Sequence, residues 1–131
     1  MNANTQNDLA KLLLRVALGA LIGLHGIAKL RGGVDPIEGM LQSHGVPGVF
    51  AYAVYIGEVV APLMLVLGFH ARIGAVLVAV NMLVAVFLAH MGQLQQFNAQ
   101  GGWALELQGM FVAAAVAIAL IGPGRYSANG R

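Results

Sequence analysis

Apolar residues in this chain run in long, nearly unbroken stretches, and polar residues cluster in the short breaks between them. Four stretches approach the roughly 20 residues that a helix needs to cross a bilayer: approximately 12–30, 49–69, 73–90 and 104–122. Arg31-Gly32-Gly33 with Asp35-Pro36 ends the first, and Gly68-Phe69-His70-Ala71-Arg72 separates the second from the third. An amide-rich stretch, 92–102, precedes the fourth, and Gly122-Pro123-Gly124 closes it. Strands of a membrane β-barrel would alternate over about ten residues, and these runs do not. The pattern predicts an all-α fold, an integral membrane four-transmembrane-helix bundle, with residues 1–131 forming one membrane domain.

The loop between the first two spans has helical features of its own. Asp35-Pro36-Ile37-Glu38 supplies an N-cap residue, a proline at the first helical position and an acid at the third. Ile37, Met40 and Leu41 share one face, and Gly45-Val46-Pro47-Gly48 ends the segment. A short amphipathic helix lying at the outer interface and capping the bundle is expected here; a plain solvated loop is the alternative. Gly19, Gly23 and Gly26 on the first span, and Gly109, Ala113 and Ala117 on the fourth, form small-residue stripes that allow close backbone approach in lipid. We expect these contacts to lie within one chain.

The first span has a basic start, Lys11 and Arg15, as a secretion signal does, but no small-x-small cleavage site follows. It is read as a retained helix. Four spans place both termini and the turn between spans two and three on one side. That side carries Lys11, Arg15, Arg72, Arg125 and Arg131, against Lys29 and Arg31 on the other. The positive-inside bias then puts both termini in the cytoplasm.

Composition agrees with the pattern. The chain is 59% hydrophobic and 9% charged, with mean hydropathy +0.79, where soluble domains carry about a quarter charged residues. With no cysteine, disulfides and thiol redox chemistry by the chain itself are excluded. The few basic residues are scattered singly, so no nucleic-acid footprint forms.

The candidate chemistry lies in polar residues that the apolar runs should reject, since an ionisable group near the bilayer centre costs at least about 2.5–3.5 kcal/mol. His25 and Lys29 are four apart and share a helix face. Glu58 lies nine residues into the second span, about 14 Å deep at 1.5 Å per residue. Asn81 is near the middle of the third span, His90 at its outer end, and Glu106 and Gln108 at the start of the fourth. The alternating directions of the spans bring His25, Lys29, Glu58, His90, Glu106 and Gln108 into the outer half of the bundle, with Asn81 just below. Lys29 is expected within reach of Glu58 or Glu106, because a buried charge needs a partner. Pro62 cannot donate to the Glu58 carbonyl, which predicts a kink and a freed acceptor open to a ligand or water. Simpler roles stand beside these. Lys29 can snorkel outward, Glu106 can serve its helix N-terminus, His90 can sit at the interface, and Asn81 can bond a neighbouring helix. Arg15 and Arg72 stand near the cytoplasmic boundary as anchors. Glu58 is too deep for such a role.

Haem is not expected, because His25 and His90 differ in depth. No metal cage is expected, and no HExxH, P-loop, GxGxxG or nucleophile-elbow pattern occurs.

The ordered motifs resemble the DoxX family. Arg15…Gly19…His25-Gly26-Ile27-Ala28-Lys29-Leu30 is similar to its R-x-x-x-G…H-G-x-x-K-L signature, and Gly45-Val46-Pro47 to its G-x-P segment. Glu58 stands at its acidic position in the second helix. Gly68–Arg72 matches its G-x-x-x-R turn, and Gly122-Pro123-Gly124-Arg125-Tyr126-Ser127 its closing G-P-G-x-Y-S. The usual Asp after that motif is absent here. The resemblance implies a bacterial inner-membrane protein of four helices, tied to quinone-linked sulfur oxidation in some lineages and to thiol or oxidative-stress complexes in others. It carries over Arg15, His25, Lys29, Glu58, Arg72 and Glu106 as polar-site residues.

Three functions stay open: a redox-associated subunit binding a quinone or another small apolar ligand, a non-enzymatic scaffold or assembly subunit, and a small transporter. The partners implied are the lipid bilayer, redox partner subunits and a second copy of the chain. For a quinone, His25, Lys29 or protonated Glu58 would donate to the ring carbonyls, and a cavity open to lipid between the first two spans is the expected sign.

Overall fold

The computed structural model describes residues 2–33, 35–89, 92, 95–97 and 99–130. Five helical segments account for most of them. Helix α1, Ala3–Gly32, starts at an Asn2 cap whose side chain accepts from the Thr5 amide at 2.8 Å. It begins nine residues before the apolar run, where the Asn2 cap satisfies a first-turn amide that has no partner within the helix. At about 1.5 Å per residue it is roughly 45 Å long. Its buried residues Arg15, Leu18, Gly19, Ile22 and Gly26 recur at three- and four-residue spacing, and Lys29 continues that stripe.

Helix α2, Asp35–Ser43, is the short amphipathic element. Its Leu41 is buried with Ala51, and Ile37, Val46, Tyr55 and Leu88 pack around them. This apolar contact fastens α2 across one end of the bundle.

Helix α3, Gly48–Leu67, is continuous but irregular. It opens as a 3₁₀ segment over Gly48–Tyr52, makes one α turn, widens into a π turn over Ile56–Val60, and returns to α geometry over Ala61–Leu67. Gly68 ends it in the left-handed conformation at φ 72°, and the Gly68 and Phe69 amides both return to the Met64 carbonyl, a glycine-dependent closure. Helix α4 covers Ala71–Ala89 and α5 covers Glu106–Ile121. The first three long helices meet the length and hydropathy of a membrane span, and α5 is a shorter apolar helix of 16 residues.

The four long helices form an up-and-down bundle in which α1 packs on α3 and α5, and α4 packs on α3 and α5. The apolar core fills the half nearest the chain termini, where Leu18, Ile22, Leu65, Val78 and Ile118 interlock, and it continues to Phe111 at the edge of the other half. Outward faces carry exposed Leu24, Leu63, Val76, Leu83, Met110 and Leu120, the apolar surface of a chain solvated by lipid.

The terminal half is closed by 122–130. Arg15 is 1% exposed, and its guanidinium donates to the Pro123 carbonyl at 3.3 Å and the Tyr126 carbonyl at 2.7 Å. The Ala128 amide donates to the Leu67 carbonyl, and the His70 amide to Asn129 Oδ1. Arg72 Nη1 donates to the Ala119 and Leu120 carbonyls at the end of α5, where a cation also meets the helix dipole.

The α1 glycine stripe acts within the chain: a Cβ at Gly19 would stand 2.7 Å from Val66 and 2.9 Å from the Pro62 carbonyl. The α5 stripe differs from expectation. Gly109 faces the Trp103 ring, Ala113 is turned outward and Ala117 is half-buried, so among the described residues Gly109 meets a ring from the preceding loop rather than a neighbouring helix.

Candidate functional site

In the half of the bundle under α2, the apolar core gives way to polar side chains and space. Glu58 sits in the middle of the π turn, 4% exposed. Pro62 brings no N–H to the α-type bond at this point, and the chain accommodates it with a wide turn in which the Ala61 amide reaches back to Ile56. Such π turns re-aim side chains and recur at functional sites. The carbonyl freed by Pro62 is not open to a ligand, as the sequence suggested. Gly26 of α1 lies directly against it, and a Cβ there would overlap the oxygen. The Gly26 hydrogen faces the carbonyl instead, in a weak C–H···O contact. The glycine thus seats α1 against the turn that presents the carboxylate.

Lys29, one turn beyond Gly26, places Nζ 2.6 Å from Glu58 Oε2. Among the described residues Oε2 has no hydrogen-bond partner, so this is a charge contact rather than a directed bond. Oε1 accepts from Asn81 Nδ2 at 3.3 Å. Gly57 makes room for that amide, since a Cβ there would stand 2.5 Å from Asn81 Cβ and Cγ. The Tyr55 hydroxyl donates to the Lys29 carbonyl at 3.2 Å, tying the end of α1 to α3. Two ions taken out of water are held only when their mutual attraction and added hydrogen bonds offset desolvation. Lys29, whose side chain is 28% exposed, keeps part of its solvation.

Two cavities flank the pair. One, of about 170 Å³, lies beneath α2 and is lined by Lys29, Met40, Val54, Glu58, Asn81 and Leu88, among others. The other, of about 140 Å³, includes His25, Lys29, Glu58, Met82, Gln108 and Phe111 in its wall. A third space of about 260 Å³ lies along the outer faces of α1 and α3, bounded by Gly23, Ile27, Glu58, Pro62 and Leu63. It lies between the first two spans at the depth of Glu58.

The structure therefore brings together Lys29, Glu58 and Asn81, and adds His25 and Gln108 on the α5 side. His25 is exposed on α1, with its ring edge-on to Phe111 at a centroid distance of 6.0 Å. Glu106 is exposed, its carboxylate lies against Gly102, and it lines neither inner cavity. Arg15 and Arg72 belong to the opposite end. His90 falls outside the described residues. Gly57 and Tyr55 escaped the sequence reading, which put Ile37 and Met40 on the apolar face of α2 but not at the cavity; Gly57 beside a buried acid was the available signal. Among the described residues no group of three or more His, Asp or Glu could hold a metal ion.

The DoxX family profile matches residues 10–91, which takes in most of α1, all of α2 to α4 and the whole Lys29–Glu58–Asn81 cluster. The chain belongs to the DoxX family. This DoxX protein is also 28% identical over 113 residues to a Bacillus subtilis (strain 168) protein named "Putative oxidoreductase CatD", covering 84% of this chain and 81% of the relative. No solved structure matches it. The C-terminal segment that closes on Arg15 lies beyond the family match.

Proposed function

We propose that this DoxX protein is a redox-associated membrane subunit that binds a quinone headgroup, or a small apolar carbonyl compound like it, beside the Lys29–Glu58 pair. The observation that carries this reading is the cavity under α2, apolar except for Lys29, Glu58 and Asn81 on its wall. Its volume of about 170 Å³ is comparable to an apolar cavity of about 150 Å³ that admits one benzene ring. A ring carbonyl would accept from Lys29 Nζ or Asn81 Nδ2, the two donors already turned toward Glu58. Reduction of a quinone consumes two electrons and two protons. Lys29 and Glu58 can move protons there, with His25 beside them in the second cavity. The chain has no cysteine, so the electrons would come from a partner subunit. The Bacillus relative carries the name of an oxidoreductase, which supports a redox role. In this proposal the protein lies in the bacterial inner membrane with both termini cytoplasmic, following the charge bias of its loops.

The test is equilibrium binding of duroquinone to the purified protein, compared with Glu58→Gln and Lys29→Met. Lys29→Met is expected to weaken binding about tenfold, the loss of one charge-assisted contact of roughly 1.4 kcal/mol, and Glu58→Gln to weaken it comparably by releasing the Lys29 ammonium from its position. Unchanged binding in both variants removes the site, and absence of binding in the wild type favours the scaffold, in which the pair only fixes helix packing.

A further inference from the structure

The cavity beneath α2 is not closed on the lipid side. A groove of about 280 Å³ runs between α3 and α4 and shares Ile37, Val54, Asn81, Val84 and Leu88 with that cavity. Its remaining walls include Phe50, Ala53, Ile56, Leu77 and Val80. Phe50, Ile56, Val80 and Val84 are exposed on the outer surface of the bundle, so the groove faces the acyl chains. From Leu77 to Leu88 it follows α4 for about 16 Å at 1.5 Å per residue. Asn81 is the polar side chain common to groove and cavity. Gly57 sets its place, because any Cβ there would push the amide away.

We infer that lipid-dissolved ligands reach the inner cavity laterally between α3 and α4, passing Asn81, and that the bound ligand keeps an aliphatic tail in this groove. The inference rests on the head-group site proposed above and adds the route of entry and the place of a ligand's hydrocarbon tail. The occupant follows from continuity. Among the described residues the space along α1 and α3 shares only Glu58 with this cavity, whereas the groove shares five lining residues. A ring seated against Lys29 and Asn81 therefore has its continuous apolar exit to lipid between α3 and α4. The groove supplies no hydrophobic drive, since bilayer tails are as apolar as its walls. Its role is steric: it lets a tailed molecule occupy a ring-sized cavity. Asn81 offers the arriving carbonyl a donor at the threshold, before Lys29.

The experiment compares two probes, duroquinone, which has no tail, and decylubiquinone, whose tail is a decyl chain. Binding is measured on the wild type, on Val80→Trp, which fills the groove but does not line the inner cavity, and on Val76→Trp. Val76 is an exposed position on α4 outside the groove. Val80→Trp is expected to weaken decylubiquinone about tenfold or more while duroquinone stays within about twofold. Val76→Trp should leave both unchanged. Equal affinity of Val80→Trp and wild type for decylubiquinone overturns the route. So does an equal loss of both probes in Val80→Trp, because that signals damage to the site rather than a blocked exit. Failure of the head-group reading looks different: duroquinone then does not bind the wild type at all, and the inference falls with it.

Discussion

Gly26 decides how closely α1 can approach the carboxylate-bearing turn of α3. Any side chain there meets the Glu58 carbonyl, whereas a Cβ at Gly23 would find its nearest neighbour, Pro62 Cβ, at 3.8 Å, an ordinary contact. Gly26→Ala is therefore expected to destabilise the protein by about 1–3 kcal/mol, the usual cost of forcing extra atoms into a packed contact. Gly23→Ala should be neutral or gain up to about 1 kcal/mol from helix propensity. Thermal unfolding of the two variants in the same detergent checks this, and equal melting temperatures would contradict it. At this scale the sequence was legible where chemistry and spacing are local. A carboxylate 14 Å into a hydrophobic run and a lysine one turn from a histidine pointed to a buried pair by cost alone. Arg15 was not legible in the same way. Its acceptors lie 108 and 111 residues away in sequence, and they are backbone carbonyls, which no residue type announces.

The irregular helix α3 shows the same limit at the level of elements. Apolar periodicity reported a span and Pro62 a disturbance, but not its form. A 3₁₀ start followed by a π turn depends on which donors remain available and on where α1 and α4 press. The short helix α2 was easier, because its cap, its proline and its stop signal are all local. The fourth helix runs Glu106–Ile121 rather than filling 104–122, since the chain before it is held by a bridge between Phe97 and Trp103 and a bond from the Ala104 amide to Gln96. Pro62→Ala tests the proline's role. It restores the missing donor and should let the π turn relax to α geometry, rotating Glu58 away from Lys29. Stability should hold or rise, as an interior proline costs about 3 kcal/mol in a regular helix, while duroquinone binding falls. A variant that binds as well as the wild type would show that the proline does not set the carboxylate's position.

The whole molecule divides its work between two ends. The terminal half has an apolar core and is closed by 122–130 over Arg15. The half under α2 holds the ion pair, the cavities and the groove. Charged side chains are few in this chain, and those buried within the bundle either close one end or line the site at the other. Arg15 depends on its lid. Truncation after Gly122 removes both carbonyl acceptors and should cost about 3–5 kcal/mol, the penalty of leaving a buried charge uncompensated. Arg15→Leu should destabilise the full chain but restore part of the loss in the truncated one. Purely additive effects in thermal unfolding would show that the tail stabilises by some contact other than Arg15. Such a device in the terminal half is expected to leave duroquinone affinity close to the wild-type value in the full-length Arg15→Leu variant, provided it folds.

Where a quinone ring sits is the most direct question to put to the protein. A photoreactive azidoquinone can be crosslinked to the purified wild type and the adducts mapped by peptide mass spectrometry. Adducts are expected on the walls of the cavity beneath α2, around Met40, Val54, Val84 and Leu88, and should diminish in Glu58→Gln. Labelling spread over outward positions such as Leu63, Leu83 and Leu120, with the same pattern in Glu58→Gln, would contradict an intramembrane site at the Lys29–Glu58 pair.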